Sequence, residues 1–213
     1  MEKDNDVSFF SEKTNLFYKV RHIEDDLPCL EISGIRMHCV KGGIGKSTRE
    51  MVKAIAPLKG RVLDSCFGLG YTAIEIGRSP YVEEVVVFEK DENVLEIAKM
   101  NEESNDAFAN KKIKIFSEPV EEGLKKFKDG YFDRILHDPP SFRIAGELYS
   151  QGMYDEFFRA LKKNGRIFHY VGSPYAKRGS DIMGGVMRRL KRAGFVEVKE
   201  VKEALGVVAE KKQ

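Results

Sequence analysis

Carboxylates stand in this sequence at three places where a bound cation or a nucleotide-like ligand would need them. Asp64 precedes a glycine-rich turn, Glu89 closes an apolar run, and Asp138 precedes two prolines. In residues 61–77, RVLDSCFGLGYTAIEIG, a strand-like run ending in Val62 and Leu63 breaks into glycines. It resumes at helical spacing, with Ala73, Ile74 and Gly77 on one face. Gly68 and Gly70 let backbone approach a ligand, and the free N–H groups of such a turn favour nucleotide-like groups. Glu89 follows those glycines at close to the roughly 20-residue spacing at which a carboxylate meets ribose hydroxyls. At Asp138, Pro139 and Pro140 the prolines remove N–H donors, which leaves the acceptors that an amino nucleophile needs.

On these residues the chain resembles the class I S-adenosylmethionine-dependent methyltransferases. Their first motif is a hydrophobic strand, an acidic residue and glycines at alternate positions. Here it reads Val62, Leu63, Asp64, Ser65, Cys66, Phe67, Gly68, Leu69, Gly70, with Cys66 where the family's first glycine usually sits. The resemblance implies S-adenosylmethionine as cofactor, its methionine part held by Asp64 and by the backbone of Ser65, Cys66, Phe67, Gly68 and Gly70. It further implies ribose binding at Glu89, next to Lys90, and adenine-amine binding at Glu118. The run HDPPSF, residues 137–142, resembles the [DN]-P-P-[YFW] motif of methyltransferases acting on exocyclic amines of bases. In those enzymes carboxylate and proline carbonyl hold the NH₂ and an aromatic ring stacks on the base. The resemblance thus implies catalytic roles for Asp138, Pro139 and Pro140, with Asp138 also facing the cofactor. Here Ser141 fills the fourth place and the aromatic follows at Phe142. The loop is also similar to that of RNA 5-methylcytosine enzymes, which need a cysteine in it or after the next strand. None follows Cys66, so that covalent route is not expected. HDPPSFRIAGELYS, FHYVGSP and EALGVVAEK are together similar to a group of archaeal predicted methyltransferases, from about residue 32 to the C-terminus.

The elements that must hold these residues alternate strand and helix. Strands are expected over 84–88, 112–116, 132–137 and 166–171, and helices over 91–100, 120–127, 147–162 and 182–193. A glycine- and proline-bearing loop is expected over 172–179, and a terminal hairpin over 195–198 and 205–209. With the resemblance, this implies a Rossmann-like three-layer α/β/α sandwich with a seven-stranded, mostly parallel sheet. Residues 16–20, 29–32 and 35–40 read as short strands separated by turn residues. The expected division is therefore a β-rich appendage on the substrate side, residues 1–46, and a methyltransferase domain, residues 47–213.

A chain of 213 residues, 42% hydrophobic and 33% charged, suits one α/β domain with a small addition. No apolar run is long enough to span a membrane, and the acidic start lacks a signal-peptide core. Cys29, Cys39 and Cys66 lack zinc-site pairing, so no metal is expected and a reduced, cytoplasmic setting is. Net charge is only +2, but residues 159–192 carry Lys or Arg at 159, 162, 163, 166, 177, 178, 188, 189, 191 and 192 against Asp181 alone. Such a face would attract phosphates, and the favoured substrate is an amine or base in RNA, including transfer RNA. Phe142 and Tyr149 are candidates for the substrate pocket. His137 and His169, on neighbouring strands, are candidates for a general base.

KGGIGKST, residues 41–48, resembles the variant phosphate loop of partitioning-type P-loop ATPases, which makes an ATPase the alternative from another class. Otherwise the loop flanks the substrate entrance, where Lys41 and Lys46 meet phosphate, while Ser47 and Glu50 box the start of a helix running to residue 58. A methyl or aminopropyl-type transfer to a small metabolite amine is the alternative within the transferases, since related sheets also build polyamines.

Overall fold

The computed structural model describes residues 7–40, 42–172 and 181–212. The chain opens with β1 (Val7–Ser11), β2 (Leu16–Arg21), β3 (Cys29–Ile32) and β4 (Ile35–Arg36), an antiparallel sheet in that order. β1 was not foreseen, because it buries little on either face and its alternation is hidden behind the acidic start. The strand expected over 35–40 shrinks to two residues. Past Arg36, the Met37 N–H donates to the Leu30 carbonyl at 2.8 Å, and the chain leaves the sheet.

Next comes α1 (Ile44–Ala54), which begins inside KGGIGKST rather than after it. Its cap is remote in sequence: the Asp26 carboxylate accepts from the N–H groups of both Ile44 and Gly45, the latter at 2.9 Å. The expected Ser47–Glu50 box is therefore replaced, since Ser47 already lies within the helix. The expected domain boundary at 46/47 falls inside α1 as well. Tyr18, Val20 and Leu30 of the first sheet share one apolar cluster with Ile44, Met51 and Val52 of the helix.

The remainder alternates as β5 (Gly60–Asp64), α2 (Tyr71–Gly77), β6 (Val82–Phe88), α3 (Glu92–Lys99), α4 (Asn105–Ala109), β7 (Ile113–Phe116), α5 (Val120–Gly123), β8 (Phe132–His137), α6 (Gln151–Ala160), β9 (Leu161–Tyr170), α7 (Ile182–Ala193), β10 (Val196–Val201) and β11 (Gly206–Glu210). The strands form one seven-stranded sheet, order β10-β11-β9-β8-β5-β6-β7, with β11 antiparallel to both neighbours and the inner pairs parallel. Alternate residues face opposite sides. Val62, Val85, Val87, Leu136 and Phe168 pack with α1, α2 and the first sheet. Leu63, Val86, Ile135 and Ile167 pack with α6 and α7, which completes three layers.

Two expected helices are shorter than read. α5 is one turn followed by a 3-10 turn over Leu124–Lys126. The helix expected over 147–162 is a 3-10 turn (Gly146–Tyr149), then α6 capped by the Ser150 hydroxyl, and β9 begins at Leu161. Most of the loop expected over 172–179 lies outside the described residues.

Chain order runs outward from β5 through β6 to β7, then returns to the other side of β5 as β8. That reversal opens a crevice at the carboxyl ends of β5 and β8, the position at which open α/β sheets bind ligands. The glycine turn leaves β5 there and the Asp138-Pro139-Pro140 loop leaves β8.

Candidate active site

The glycine turn is fixed by backbone. Ser65 N–H donates to the Leu136 carbonyl at 3.0 Å, Phe67 N–H to Phe88 at 2.9 Å, and Gly70 N–H to Phe67 at 2.7 Å. Gly68 and Gly70 have φ of +54° and +78°, which favours glycine at both, but for different uses. A Cβ on Gly70 would meet the Phe67 ring at 2.7 Å, so Gly70 serves packing. At Gly68 the nearest atom to such a Cβ is His38 Nε2, at 4.0 Å, so Gly68 leaves open space.

That space is a cavity of about 340 Å³ roofed by the first sheet. Cys66, Phe67, Gly68, Glu89, Lys90, Asp138, Pro139 and Pro140, all expected from sequence, line it together. Its far wall is apolar: Leu16, Leu30, Ile32, Ile35, Met37, Met51 and Ile144. Ile35 and Ile144 are 49% and 46% exposed, so the mouth too is apolar.

The polar groups are mostly acceptors. Glu89 takes the N–H of Gly68 at 3.2 Å on one oxygen and that of Asp91 at 3.0 Å on the other, and burial raises its pKa to about 7. Asp91 accepts the Tyr18 hydroxyl at 2.5 Å and caps α3 through the Asn93 N–H. Asp138 accepts no hydrogen bond among the described residues, and burial alone lifts its pKa to about 7. Lys90, the expected cation of the site, pairs with Glu147 at 3.1 Å.

Asp64 and Ser65 lie beneath the cavity, not in its wall. Asp64 is fully buried; one oxygen accepts the Thr72 hydroxyl at 2.6 Å, the Cys66 N–H faces the carboxylate, and Oδ1 has no well-aligned hydrogen bond among the described residues. Burial, reinforced by the nearby Asp138 charge, brings its pKa to about 8 despite the Thr72 bond. Ser65, together with Glu118, borders an adjoining cavity of about 50 Å³ that shares Cys66, Glu89, Lys90 and Pro140 with the main one. Glu118 pairs with Lys126. Burial pushes the Cys66 thiol well above its ordinary range, which removes it as a nucleophile.

Several expectations need correction. Tyr149 is 2% exposed and lies under the loop, where its hydroxyl donates to the Pro140 carbonyl at 3.1 Å. It braces the loop and occupies one of the acceptors foreseen for an amine. Phe142 packs edge-on against Tyr149 at 5.4 Å and lines neither cavity. Lys46 is exposed on α1 and also lines neither, while Lys41 lies outside the described residues. His137 and His169 do meet, ring to ring at 4.4 Å, but both are fully buried and held neutral by that burial. His137 accepts at Nδ1 from Ser65 at 2.6 Å and donates from Nε2 to the Leu148 carbonyl at 3.1 Å. It therefore ties the glycine turn to the segment after the Asp138 loop, and it cannot serve as a base. The phosphate-loop reading fails on Asp26: its carboxylate already holds the N–H groups at the start of α1 that a phosphate would need.

Of the basic residues, Arg159 binds Glu156 and Asp129, Lys162 binds Asp133, Arg166 binds Glu210 and Arg188 binds Asp181. α7 starts on the cavity side of the sheet and runs away from it, which leaves 188–192 at the remote edge. His38 in the cavity wall, and Tyr18 behind Asp91, were not revealed by the sequence. Their partners lie far along the chain, and no motif marks them.

The residues present fit S-adenosylmethionine. An open approach at Gly68, a buried Asp64 oxygen with no well-aligned hydrogen bond among the described residues and a cavity bordered by carboxylates suit a ligand that carries an ammonium, a sulfonium and ribose hydroxyls.

Residues 39–192 match the methyltransferase small domain family. The chain is 48% identical over 212 residues to an uncharacterized protein of Methanocaldococcus jannaschii, covering 98% of this chain and 72% of that one. It is 31% identical to a polyamine aminopropyltransferase of Prochlorococcus marinus over 67% of this chain and 50% of the relative. A spermidine synthase from Thermotoga maritima shares the fold at a TM-score of 0.75 and 19% identity, covering 96% of this chain and 71% of that one.

Proposed function

The chain belongs to the methyltransferase small domain family, with S-adenosylmethionine as its cofactor, and from that premise we propose that it methylates an amine nitrogen of a small molecule with an apolar body. The observation that carries this reading is the Asp138 carboxylate, which accepts no hydrogen bond among the described residues, in a cavity whose other wall is aliphatic. The cofactor supplies an electrophilic methyl on sulfur. Glu89 and the turn at Gly68 would hold the cofactor, while Pro139 and Pro140 stiffen the loop that presents Asp138 from β8. An amine attacks only when neutral, and Asp138, made more basic by burial, accepts the proton that it sheds. Leu16, Ile32, Met37 and Met51 exclude water and take up the apolar part of the acceptor.

RNA, expected from the basic stretch, is not the substrate adopted. Cations at 159, 162 and 166 are spent on internal pairs, and the cavity mouth is apolar. Aminopropyl transfer is the second reading. It is favoured by the relative from Prochlorococcus marinus and by a likeness to spermidine synthase that extends through the first sheet. Incubation with methyl-labelled cofactor and separate pools of aliphatic amines, aromatic amines and total RNA tests the proposal. Label in an amine, lost in Asp138→Asn, supports it; label in RNA alone sinks it. Release of methylthioadenosine from decarboxylated cofactor would select the second reading.

A further inference from the structure

The geometry points to His38 as the residue that recognises the carboxylate of the cofactor's methionine part, and so decides between S-adenosylmethionine and its decarboxylated form. This rests on the cofactor reading above.

The His38 ring stands in the cavity wall, tilted against Tyr71 at 5.4 Å between centroids. Its Nδ1 accepts the backbone N–H of Leu30 on β3 at 3.1 Å. A ring that accepts at Nδ1 carries its proton on Nε2, so the cavity-facing nitrogen is a donor. Burial lowers the pKa to about 4, in agreement with a neutral ring locked in that tautomer. Nε2 is the nearest atom to the open side of Gly68, in the turn assigned to the methionine part.

The other hydroxyls flanking the turn are already committed. Thr72 donates to Asp64, Tyr71 to the Pro28 carbonyl and Ser65 to His137. The carboxylates of Glu89 and Asp138 would repel a ligand carboxylate, and Lys90, which borders both cavities, is already paired with Glu147. Among the described residues, a carboxylate entering this anionic cavity over Gly68 thus finds His38 Nε2–H as the side-chain donor nearest the open side of the turn. A ligand without that carboxylate has no use for it. His38 is therefore a specificity residue and not a base, since its exposed nitrogen has no lone pair to offer.

Calorimetric titration of the full chain with S-adenosylmethionine, S-adenosylhomocysteine and decarboxylated S-adenosylmethionine tests the assignment, with His38→Ala and His38→Gln alongside. His38→Ala should weaken the first two ligands by about ten- to a hundredfold, the usual size of a lost hydrogen bond to a charged group, and leave the decarboxylated ligand unchanged. His38→Gln, which retains an N–H donor, should recover part of the loss. Equal weakening of all three ligands, or of none, overturns the assignment while leaving the cofactor reading intact. If the unaltered protein binds none of them, the cofactor reading falls and the role of His38 falls with it.

Discussion

A carboxyl group kept from water is a poor ion and a good base, and Asp64, Glu89 and Asp138 all show raised pKa values through burial. For Asp138 the consequence is catalytic. Activity of the unaltered protein should rise with pH through about 7 as the group ionises, and Asp138→Asn should lower turnover roughly 100-fold and flatten that rise. A pH–rate profile decides it. For Asp64 the consequence is stability. Its folded pKa, about 8, lies above the ordinary value, so its contribution is full in acid, below the unfolded pKa near 4, and is lost as pH climbs through 8. Thermal unfolding between pH 5 and 8 should therefore show a falling midpoint that Asp64→Asn flattens; a flat profile in the unaltered protein would count against this. Both residues were legible in the sequence, because Asp64 ends a strand and Asp138 directly follows one, next to conspicuous glycines or prolines. Tyr18 and His38 were not, since their meaning comes from Asp91 and Gly68, which only the folded chain brings near.

At the scale of elements, α1 owes its start to Asp26. Although partial burial opposes it, the N–H groups of Gly45, Leu27 and Ile44 hold that carboxyl below the ordinary range. Asp26→Ala should cost about 1–2 kcal/mol, read in denaturant unfolding at neutral pH, with the difference shrinking in acid as the carboxylate protonates. The helix was foreseen and its beginning was not, because a cap 18 residues away leaves no local signature. The Asp138 loop owes its shape to Tyr149. Tyr149→Phe should lower turnover by on the order of tenfold, with cofactor affinity kept, since only the loop's position is loosened. Unchanged turnover would assign the hydroxyl to stability alone. α6 was overextended in the reading because Leu161, apolar and in helical register, is buried instead at the head of β9.

Over the whole molecule, a seven-stranded, mostly parallel sheet followed from alternating strand and helix together with the family likeness, while the order of its strands came only from the structure. The join to the first sheet was less visible, because Tyr18, Val20 and Leu30 contribute to a shared interior that short strands do not announce. The adjacency of β5 and β8 has a consequence for how new specificities could arise. The two loops that meet at the transfer point hang from neighbouring parallel strands, so their separation is fixed by the roughly 4.8 Å spacing of the main chain and not by any side chain. The roof, by contrast, is built from interchangeable aliphatic residues on another sheet. Acceptor choice and transfer geometry are thus inherited separately. Ile32→Ala with Met37→Ala should change which amines are used while leaving cofactor affinity within about twofold, as surfaces without shared partners act nearly additively. A lineage could exchange its substrate many times over without rebuilding the place where the bond is made.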